Sequence, residues 1–346
     1  AAQQPAPRPA PAPAPATGGP VPVTISRRRP VDPAEEAAAA EERRRQELAS
    51  SDPGRLVGPR LQPQAARVAA EFPAPARSML LHGAVRTAVY QSTTYTDHYL
   101  DRVARLTALE PEPGTSRLTT EAARHVALWM CYQDTIQVAQ QKIRRRRLEG
   151  VRAEARAELG QLLNVREFLH PQVEEIADTL PTRLGRWVAG SALFNRVVGR
   201  LTRNGIVVNT TGLIGFTLLW FMAILRPLRP RSLRYHREQA AIEGWLDLVE
   251  SLAAVDYDLA CEVVECQGVI KGYGETHRHG MESFTKLIDA ADRLLGHPGA
   301  AADLATLRAA ALADEDGSAL DVALAGLPAV RVPSAAGAGA GEVHPA

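Results

Sequence analysis

The sequence predicts an all-α fold: an irregular multi-helix domain preceded by a Pro/Ala-rich linker and followed by a disordered C-terminal tail. Apolar residues recur every three or four positions in one segment after another, which is the spacing of helices that bury one face. Only Ile206-Val207-Val208 has the character of a β-strand. With 346 residues, 45% of them hydrophobic and 23% charged, the chain can also bury a sizeable core.

Charge and cysteine content exclude several classes of function. The 40 Lys and Arg against 39 Asp and Glu give a formal net charge of +1, which argues against nucleic-acid binding over the whole surface. Three cysteines without a C-x-x-C pair predict neither a disulfide framework nor a zinc site, and they suit a reducing compartment. No P-loop, H-E-x-x-H or G-x-S-x-G motif occurs. Because the first residues also lack the basic and apolar regions of a signal peptide, we expect a cytoplasmic protein.

Residues 1–63 are predicted to be a linker. Proline alternates with alanine from Pro5 to Pro22, which favours an extended spacer. Asp32 and Pro33 form a good helix start, but the run that follows has no apolar face, so we expect either a solvent-exposed helix or a disordered segment here. Residues 52–63 have the composition of a loop.

Residues 64–298 are predicted to form the helical domain. Its helices are marked by the apolar stripes Leu81–Val89, Tyr99–Leu106, Val126–Ile143, Val173–Leu180 with a continuation to Val188, Ile242–Leu252, Leu259–Ile270 and Met281–Leu295. We expect Thr119 to cap one long helix that ends in Arg144–Arg147, where four cations offset the helix dipole. The composition of residues 299–346 predicts a low-complexity, largely disordered tail.

The uncharged stretch Gly205–Leu225 raises the question of membrane contact. Its strongly apolar part begins near Leu213 and spans about 13 residues, whereas a helix needs roughly 20 residues to cross a bilayer. We therefore expect a buried core helix and no membrane partner. A membrane-associated protein that uses Thr211–Leu225 is the less favoured alternative.

Three glycines interrupt the helical pattern in one polar segment. The segment reads Lys271-Gly272-Tyr273-Gly274-Glu275-Thr276-His277-Arg278-His279-Gly280. We expect a turn between helices in which Gly272 and Gly274 are left-handed and the polar side chains are exposed. Contact with a partner or ligand is the first alternative, because loops often carry function. A metal site that adds Cys266 is the second alternative, although the apolar stripe favours a core position for that thiol.

Arg226–Arg237 is the densest basic patch. We expect a surface or subunit contact here. A helical nucleic-acid-binding adaptor that uses this patch is the alternative function, although Tyr235 is the only base-stacking residue that we assign to it.

Several ordered blocks together resemble one known family. The blocks are Ala123–Met130 with Tyr132, Asp134, Ile136 and Val138, then Glu167–Pro181, Leu184-Gly185-Arg186-Trp187, Ser232-Leu233-Arg234-Tyr235 and Lys271–His277. They resemble the C-terminal region of the indolepyruvate oxidoreductase beta subunit family, from about Phe72 to about Leu295 with gaps.

The resemblance implies a part of an enzyme that oxidatively decarboxylates an arylpyruvate, with coenzyme A as acyl acceptor and ferredoxin as electron acceptor. In that family thiamine diphosphate and the [4Fe–4S] clusters belong to the alpha subunit, so we expect no cofactor on this chain. The implied partners are the alpha subunit and a gamma-type domain upstream of the linker, with ferredoxin involved indirectly. We expect the helical region to be structural or to dock partners, and not to be catalytic alone.

The resemblance carries over no catalytic residue and no metal ligand. The side chains that we expect to face the partner or its substrate channel are Arg234, Tyr235, Lys271, Gly272, Tyr273, Gly274, Glu275 and His277.

Overall fold

The computed structural model describes residues 33–112, 114–158, 161, 163–169, 181–192, 196, 206–272, 274–314 and 316–327. The chain divides into two units, Ala1–Arg43 and Arg44–Ala346. Residues 33–43 of the first unit are helical, and the architecture below is that of the second unit. The predicted linker Pro5–Pro22, the predicted helix Val173–Leu180 and the end of the predicted tail lie outside the described residues.

Helices dominate the described chain, which confirms the all-α prediction. They are α1 (Pro33–Ser51), α2 (Gln62–Glu71), α3 (Arg77–Tyr90), α4 (Thr93–Thr107), α5 (Arg117–Met130), α6 (Thr135–Lys142), α7 (Arg145–Glu154), α8 (Thr182–Gly190), α9 (Leu213–Ile224), α10 (Leu233–Ala253), α11 (Tyr257–Cys266), α12 (Gly274–Leu294), α13 (Ala300–Ala313) and α14 (Ser318–Ala325). Short 3-10 helices precede α2, α3, α10 and α12.

A two-stranded antiparallel sheet is the β-structure of the described residues. Strand β1 (Arg166–Leu169) pairs with β2 (Ile206–Asn209), with Glu167 opposite Val208. The predicted strand at Ile206–Val208 is therefore confirmed, whereas its partner β1 was not predicted. Four residues are too few to show a clear alternating pattern.

One hydrophobic core joins α3, α4, α5, α10, α11 and α12. The Trp129 ring lies 5.2 Å from the rings of both Trp245 and Phe284, so α5, α10 and α12 meet at this residue. Trp245 satisfies its indole N–H by donating to the carbonyl of Val263 on α11, at 3.2 Å. The predicted stripes of α4 and α10 are fully buried, which explains why the periodicity located these helices correctly.

The N-terminal part of the domain is more helical than predicted. The loop expected at residues 52–63 contains two 3-10 helices and the start of α2, whose Ala65 and Val68 are buried. Prolines suggested a loop, but each of these helices has a proline in its first two positions, where a missing N–H costs little. In α3 the predicted stripe is partly wrong, because Val89 is 46% exposed while Thr87 and Tyr90 face the core.

The single long helix expected up to Arg147 is three helices, α5, α6 and α7. The break follows Met130, and Asp134 is the N-cap of α6; its carboxylate accepts a hydrogen bond from the Gln137 backbone N–H at 2.7 Å. Thr119 is not the N-cap of α5; its N–H and hydroxyl both donate to the Glu110 carboxylate at 2.8 Å.

The Arg144–Arg147 run does not end a helix. Arg144 is the N-cap of α7 and the three arginines that follow form its first turn, so the expected compensation of the helix dipole is wrong. Arg147 instead pairs with Glu167 of β1, and Lys142 donates to the same carboxylate at 2.6 Å.

The helical domain continues beyond the predicted boundary at residue 298. Helices α13 and α14 bury Leu304, Leu307 and Leu320, and α13 packs against α11. Arg308 of α13 adds salt bridges to Glu262 and Glu265, at 2.9 and 2.7 Å. The alanine-rich sequence suggested a disordered tail, but alanine is the best helix former and the few leucines suffice to anchor the helices.

Helix α9 is exposed, contrary to the prediction of a buried core helix. It rests on α6 through Leu219 and Ala223. Its other large side chains face outward: Leu213 (84% exposed), Ile214 (87%), Phe216 (38%), Leu218 (53%), Trp220 (50%), Phe221 (54%) and Ile224 (47%). In the described parts of the chain, no helix combines the length and the hydrophobicity that a membrane span requires.

Candidate functional site

Tyr132 is the centre of the candidate site, and it lies in the short connection between α5 and α6. Aromatic side chains from the preceding helices fix this connection. The Tyr95 hydroxyl donates to the Met130 carbonyl at 2.9 Å, and the Tyr90 hydroxyl donates to the Tyr132 carbonyl at 3.2 Å. The backbone that carries Tyr132 is therefore held on both sides.

A buried ion pair completes this support. The Arg229 side chain is 2% exposed, and its Nε and Nη2 donate to the two carboxylate oxygens of Asp134, at 2.5 and 3.0 Å. Nη1 donates to the Tyr90 carbonyl and to Gln91 Oε1, at 2.5 and 2.8 Å. Burial is the largest single influence and lowers the pKa of Arg229, but the hydrogen bonds with Asp134 and the charges of Asp134 and the neighbouring tyrosines together raise the pKa above its usual value. Asp134 thus both caps α6 and anchors this arginine.

Two residues predicted from the sequence contact the Tyr132 ring. The His277 ring centroid lies 4.7 Å from it, and the Arg234 guanidinium carbon lies 5.6 Å from its centroid. Arg234 is neutralised by Glu238, one turn along α10, at 2.7 Å. Burial, reinforced by the nearby positive charge of Arg234, lowers the pKa of His277 to about 4, so this histidine is neutral at pH 7.

The polar segment 271–280 approaches Tyr132 at Gly272. The Tyr132 hydroxyl donates to the Gly272 carbonyl. Gly272 has φ +67° and Gly274 has φ +54°, so the predicted left-handed glycines are confirmed. A side chain at position 272 would also collide with Thr276, because a Cβ there would lie 2.7 Å from a Thr276 methyl group.

The exposed loop expected at residues 271–280 is wrong from Gly274 onward. Helix α12 begins at Gly274, so Glu275 and His277 occupy its first turn. Glu275 is exposed and pairs with Arg278, whereas His277 is half-buried, and its buried Nδ1 has no hydrogen-bond partner among the described residues. The predicted site residue Tyr273 lies outside the described residues.

A cleft of about 400 Å³ opens beside Tyr132. Its lining residues are Arg86, Leu128, Cys131, Tyr132, Gln133, Gln267, Gly268, Ile270, Lys271 and Gly272. They come from α3, α5, the connection after α5 and the segment between α11 and α12. Of the predicted site residues, Lys271 and Gly272 line this cleft, and Arg234 and His277 support it through Tyr132.

Tyr235 is part of the core packing instead of the cleft. Its backbone N–H donates to the side chain of Ser232, the N-cap of α10, at 3.2 Å. Its ring lies 6.0 Å from that of Tyr95, and burial raises its pKa. We therefore assign Tyr235 a packing role.

Arg86 was not predicted from the sequence to be a site residue, and no role was predicted for Tyr132. Arg86 is an exposed residue of α3, whose polar face gave no signal. Tyr132 was part of a resembling block, but only the structure brings it against residues about 140 positions later in the chain.

The basic patch Arg226–Arg237 is not a continuous cationic surface. Arg229 is buried by Asp134, and Arg234 is paired with Glu238. Arg226 is half-buried and donates to the Val89 carbonyl at 3.4 Å. A nucleic-acid backbone could therefore reach only part of this patch, which weakens the nucleic-acid alternative.

The described cysteines and histidines do not form a reactive cluster. All three cysteines are buried and free, and burial raises the thiol pKa of Cys131 and Cys266 to about 12 and that of Cys261 to about 11. Cys266 is in the core, as its position in the apolar stripe predicted. Among the described residues no three His, Cys, Asp or Glu side chains are grouped to hold a metal ion.

Comparison with known proteins gives a family but no function. Residues 76–290 match the model of the Family of unknown function (DUF6537), and this range contains the whole cleft. No curated protein and no solved structure matches the chain. Because the matched range covers more than half of its length, the chain belongs to the DUF6537 family, a family of unknown function.

Proposed function

We propose that this chain is the helical region of a cytoplasmic indolepyruvate-type 2-oxoacid:ferredoxin oxidoreductase beta subunit, and that it docks partner subunits. The observation that carries the proposal is the meeting of three resembling blocks at Tyr132. These blocks are Ala123–Tyr132, Ser232–Tyr235 and Lys271–His277, which are far apart in sequence but in contact through Tyr132, Arg234, Gly272 and His277. Segments that share a resemblance and also build one cleft are expected to share a role.

In the proposed complex, the partner subunit carries out the chemical reaction. Thiamine diphosphate and the [4Fe–4S] clusters would belong to the alpha subunit, and ferredoxin would receive the electrons. The described cleft fits a supporting role, because its thiol is protonated and the neighbouring His277 is neutral at pH 7. A gamma-type domain would be the second partner.

Helix α9 gives the docking role a physical basis. Contiguous exposed apolar side chains are typical of interaction surfaces. The sequence from Thr182 to Arg237, which includes α9, contains ten arginines and no acidic residue. Arg229 and Arg234 are paired with Asp134 and Glu238 and do not add to this positive charge. We therefore expect the partner to present an apolar groove with an acidic rim to α9.

A native purification tests this proposal. The chain, expressed from its full coding region with a tag in its own cells, is isolated and the eluate is assayed for thiamine diphosphate, iron and partner proteins. We expect a brown eluate that contains a large thiamine-dependent enzyme. A colourless eluate without such an enzyme would contradict the proposed function.

A further inference from the structure

The cleft beside Tyr132 combines an apolar wall with positive charge. Leu128, Ile270 and the Tyr132 ring supply apolar surface, and Arg86 and Lys271 supply two cations. Both cations are on exposed residues at the cleft, where an entering ligand meets them. A volume of about 400 Å³ suits a small organic molecule.

The two cations are not neutralised by the described protein. Neither Arg86 nor Lys271 forms a salt bridge with a described carboxylate. Arg86 does form a hydrogen bond with the side chain of Cys131, but that thiol is uncharged because burial raises its pKa to about 12. Other arginines of the core helices are paired, as Arg102 is with Glu243 at 2.7 Å. The cleft therefore has a local excess of positive charge, although the whole chain is almost neutral.

A buried amide adds a directed hydrogen-bond donor. Gln267 lines the cleft and is 2% exposed. Its carbonyl oxygen accepts from Nδ1 of His125 at 2.9 Å, which fixes the amide and leaves its NH₂ group as the donor available to a ligand. A site with two cations and a fixed amide donor is suited to oxygen atoms that carry negative charge.

We propose that this cleft binds a small organic carboxylate, with its carboxylate group between Arg86 and Lys271 and its apolar body against Leu128 and Ile270. The apolar wall favours a singly charged ligand with a hydrocarbon or aromatic body over inorganic phosphate, which would need donors on every side. The inference does not rest on the proposed function, since it requires neither a thiamine enzyme nor a second subunit.

Binding of 3-phenylpropanoate to the full chain, measured by isothermal titration calorimetry, tests the inference directly. We expect saturable binding of one molecule per chain, with a dissociation constant of about 1 mM or lower. The neutral isostere 3-phenylpropanamide should bind at least about tenfold more weakly, because it lacks the charge that the two cations attract.

Variants locate the binding site. Arg86→Gln and Lys271→Gln each remove one exposed cation, and each should weaken 3-phenylpropanoate binding about five- to tenfold. The double variant should bind no measurable ligand. Arg60→Gln is the matched control, since Arg60 is also exposed but does not line the cleft, and it should bind like the wild type.

Four results would overturn the inference. They are the absence of saturable 3-phenylpropanoate binding, equal binding of the amide, wild-type affinity in a folded double variant, and competition by inorganic phosphate at similar concentration. The last result would assign the cleft to phosphate. All of these measurements use the isolated chain, so their outcome is separate from the purification that tests the proposed function.

Discussion

Arg229 shows how one buried side chain shapes the site. Each of its three guanidinium nitrogens has a hydrogen-bond acceptor, and these acceptors belong to the C-terminal end of α3 (Tyr90 and the C-cap Gln91) or to Asp134, the N-cap of α6. Its guanidinium carbon also lies 3.9 Å from the centroid of the Tyr90 ring. The arginine therefore fixes the connection that carries Tyr132 instead of binding an external ligand.

Replacing Arg229 with alanine should destabilise the protein by about 3–5 kcal/mol, because the Asp134 carboxylate would remain buried without its partner. Urea denaturation followed by circular dichroism measures this loss. Arg145→Ala, which removes an exposed pair with Glu149, is the control and should change the free energy of unfolding very little. A loss below about 1 kcal/mol in Arg229→Ala would contradict the structural role.

His277 should make folding stability depend on pH. Its pKa is lowered to about 4 in the folded protein, whereas the unfolded value is near 6.5, so the unfolded chain binds the extra proton first as the pH falls. The stability associated with neutral His277 is complete above about pH 6.5 and is lost progressively as the pH falls towards 4. Chemical denaturation of the wild type and of His277→Gln across pH 4–7 should give a smaller decline in the variant.

An NMR titration of the His277 ring provides the independent check on this prediction. We expect its midpoint near pH 4. A midpoint near 6.5 together with equal pH profiles of the two proteins would show that the ring is solvated.

At the scale of elements, α9 should cause the isolated chain to self-associate. Trp220→Ser combined with Phe221→Ser replaces two half-exposed rings and should suppress association in sedimentation velocity, while the stability changes by less than about 1 kcal/mol. Leu219→Ser on the same helix is the contrasting control: its side chain is 6% exposed, so it should destabilise the protein. Identical sedimentation of the double variant and the wild type would exclude α9 as an associating surface.

Helices α13 and α14 should be required for stability. A chain that ends at Pro298 loses the cover that Leu304 and Leu307 give to α11, so its melting temperature should fall well below that of a chain ending at Leu327. The point variant Leu304→Ala should cost about 2–5 kcal/mol. Equal melting temperatures for the two truncated chains would support the tail that the sequence predicted.

Helices were predicted correctly from the sequence where one face is buried. They were predicted poorly where long-range packing or capping determines where a helix begins, ends or is exposed. The stripes at Tyr99–Leu106 and Ile242–Leu252 are correct because each repeats with helical period against one core. The break between α5 and α6 was missed because the contact that holds it, between Asp134 and Arg229, joins residues almost 100 positions apart in the sequence. The exposure of α9 was missed because an apolar helix sequence does not show whether another segment of the chain packs over that helix.

The candidate site could be predicted only in part for the same reason. Gly272 and His277 were identified from local sequence, since glycines and polar residues interrupt a helix there. Arg86 and Tyr132 join them through long-range packing, which no local pattern encodes.

At the scale of the whole molecule, helix α9 and the Tyr132 cleft are surfaces of different character. Helix α9 is an apolar ridge in a sequence segment with ten arginines and no acid, whereas the Tyr132 cleft is a cationic pocket with an apolar wall. We propose that α9 binds a protein partner and that the Tyr132 cleft binds a small carboxylate. The chain would then act by binding and positioning.

Hydrogen–deuterium exchange of the chain, alone and in complex with the partner protein that the proposed native purification would isolate, tests the docking role most directly. We predict that exchange slows on complex formation in Leu213–Ile224, and that the Trp220→Ser, Phe221→Ser variant loses this protection together with the complex. Unchanged exchange at Leu213–Ile224 in the formed complex, or a double variant that binds the partner protein as tightly as the wild type, would contradict the account.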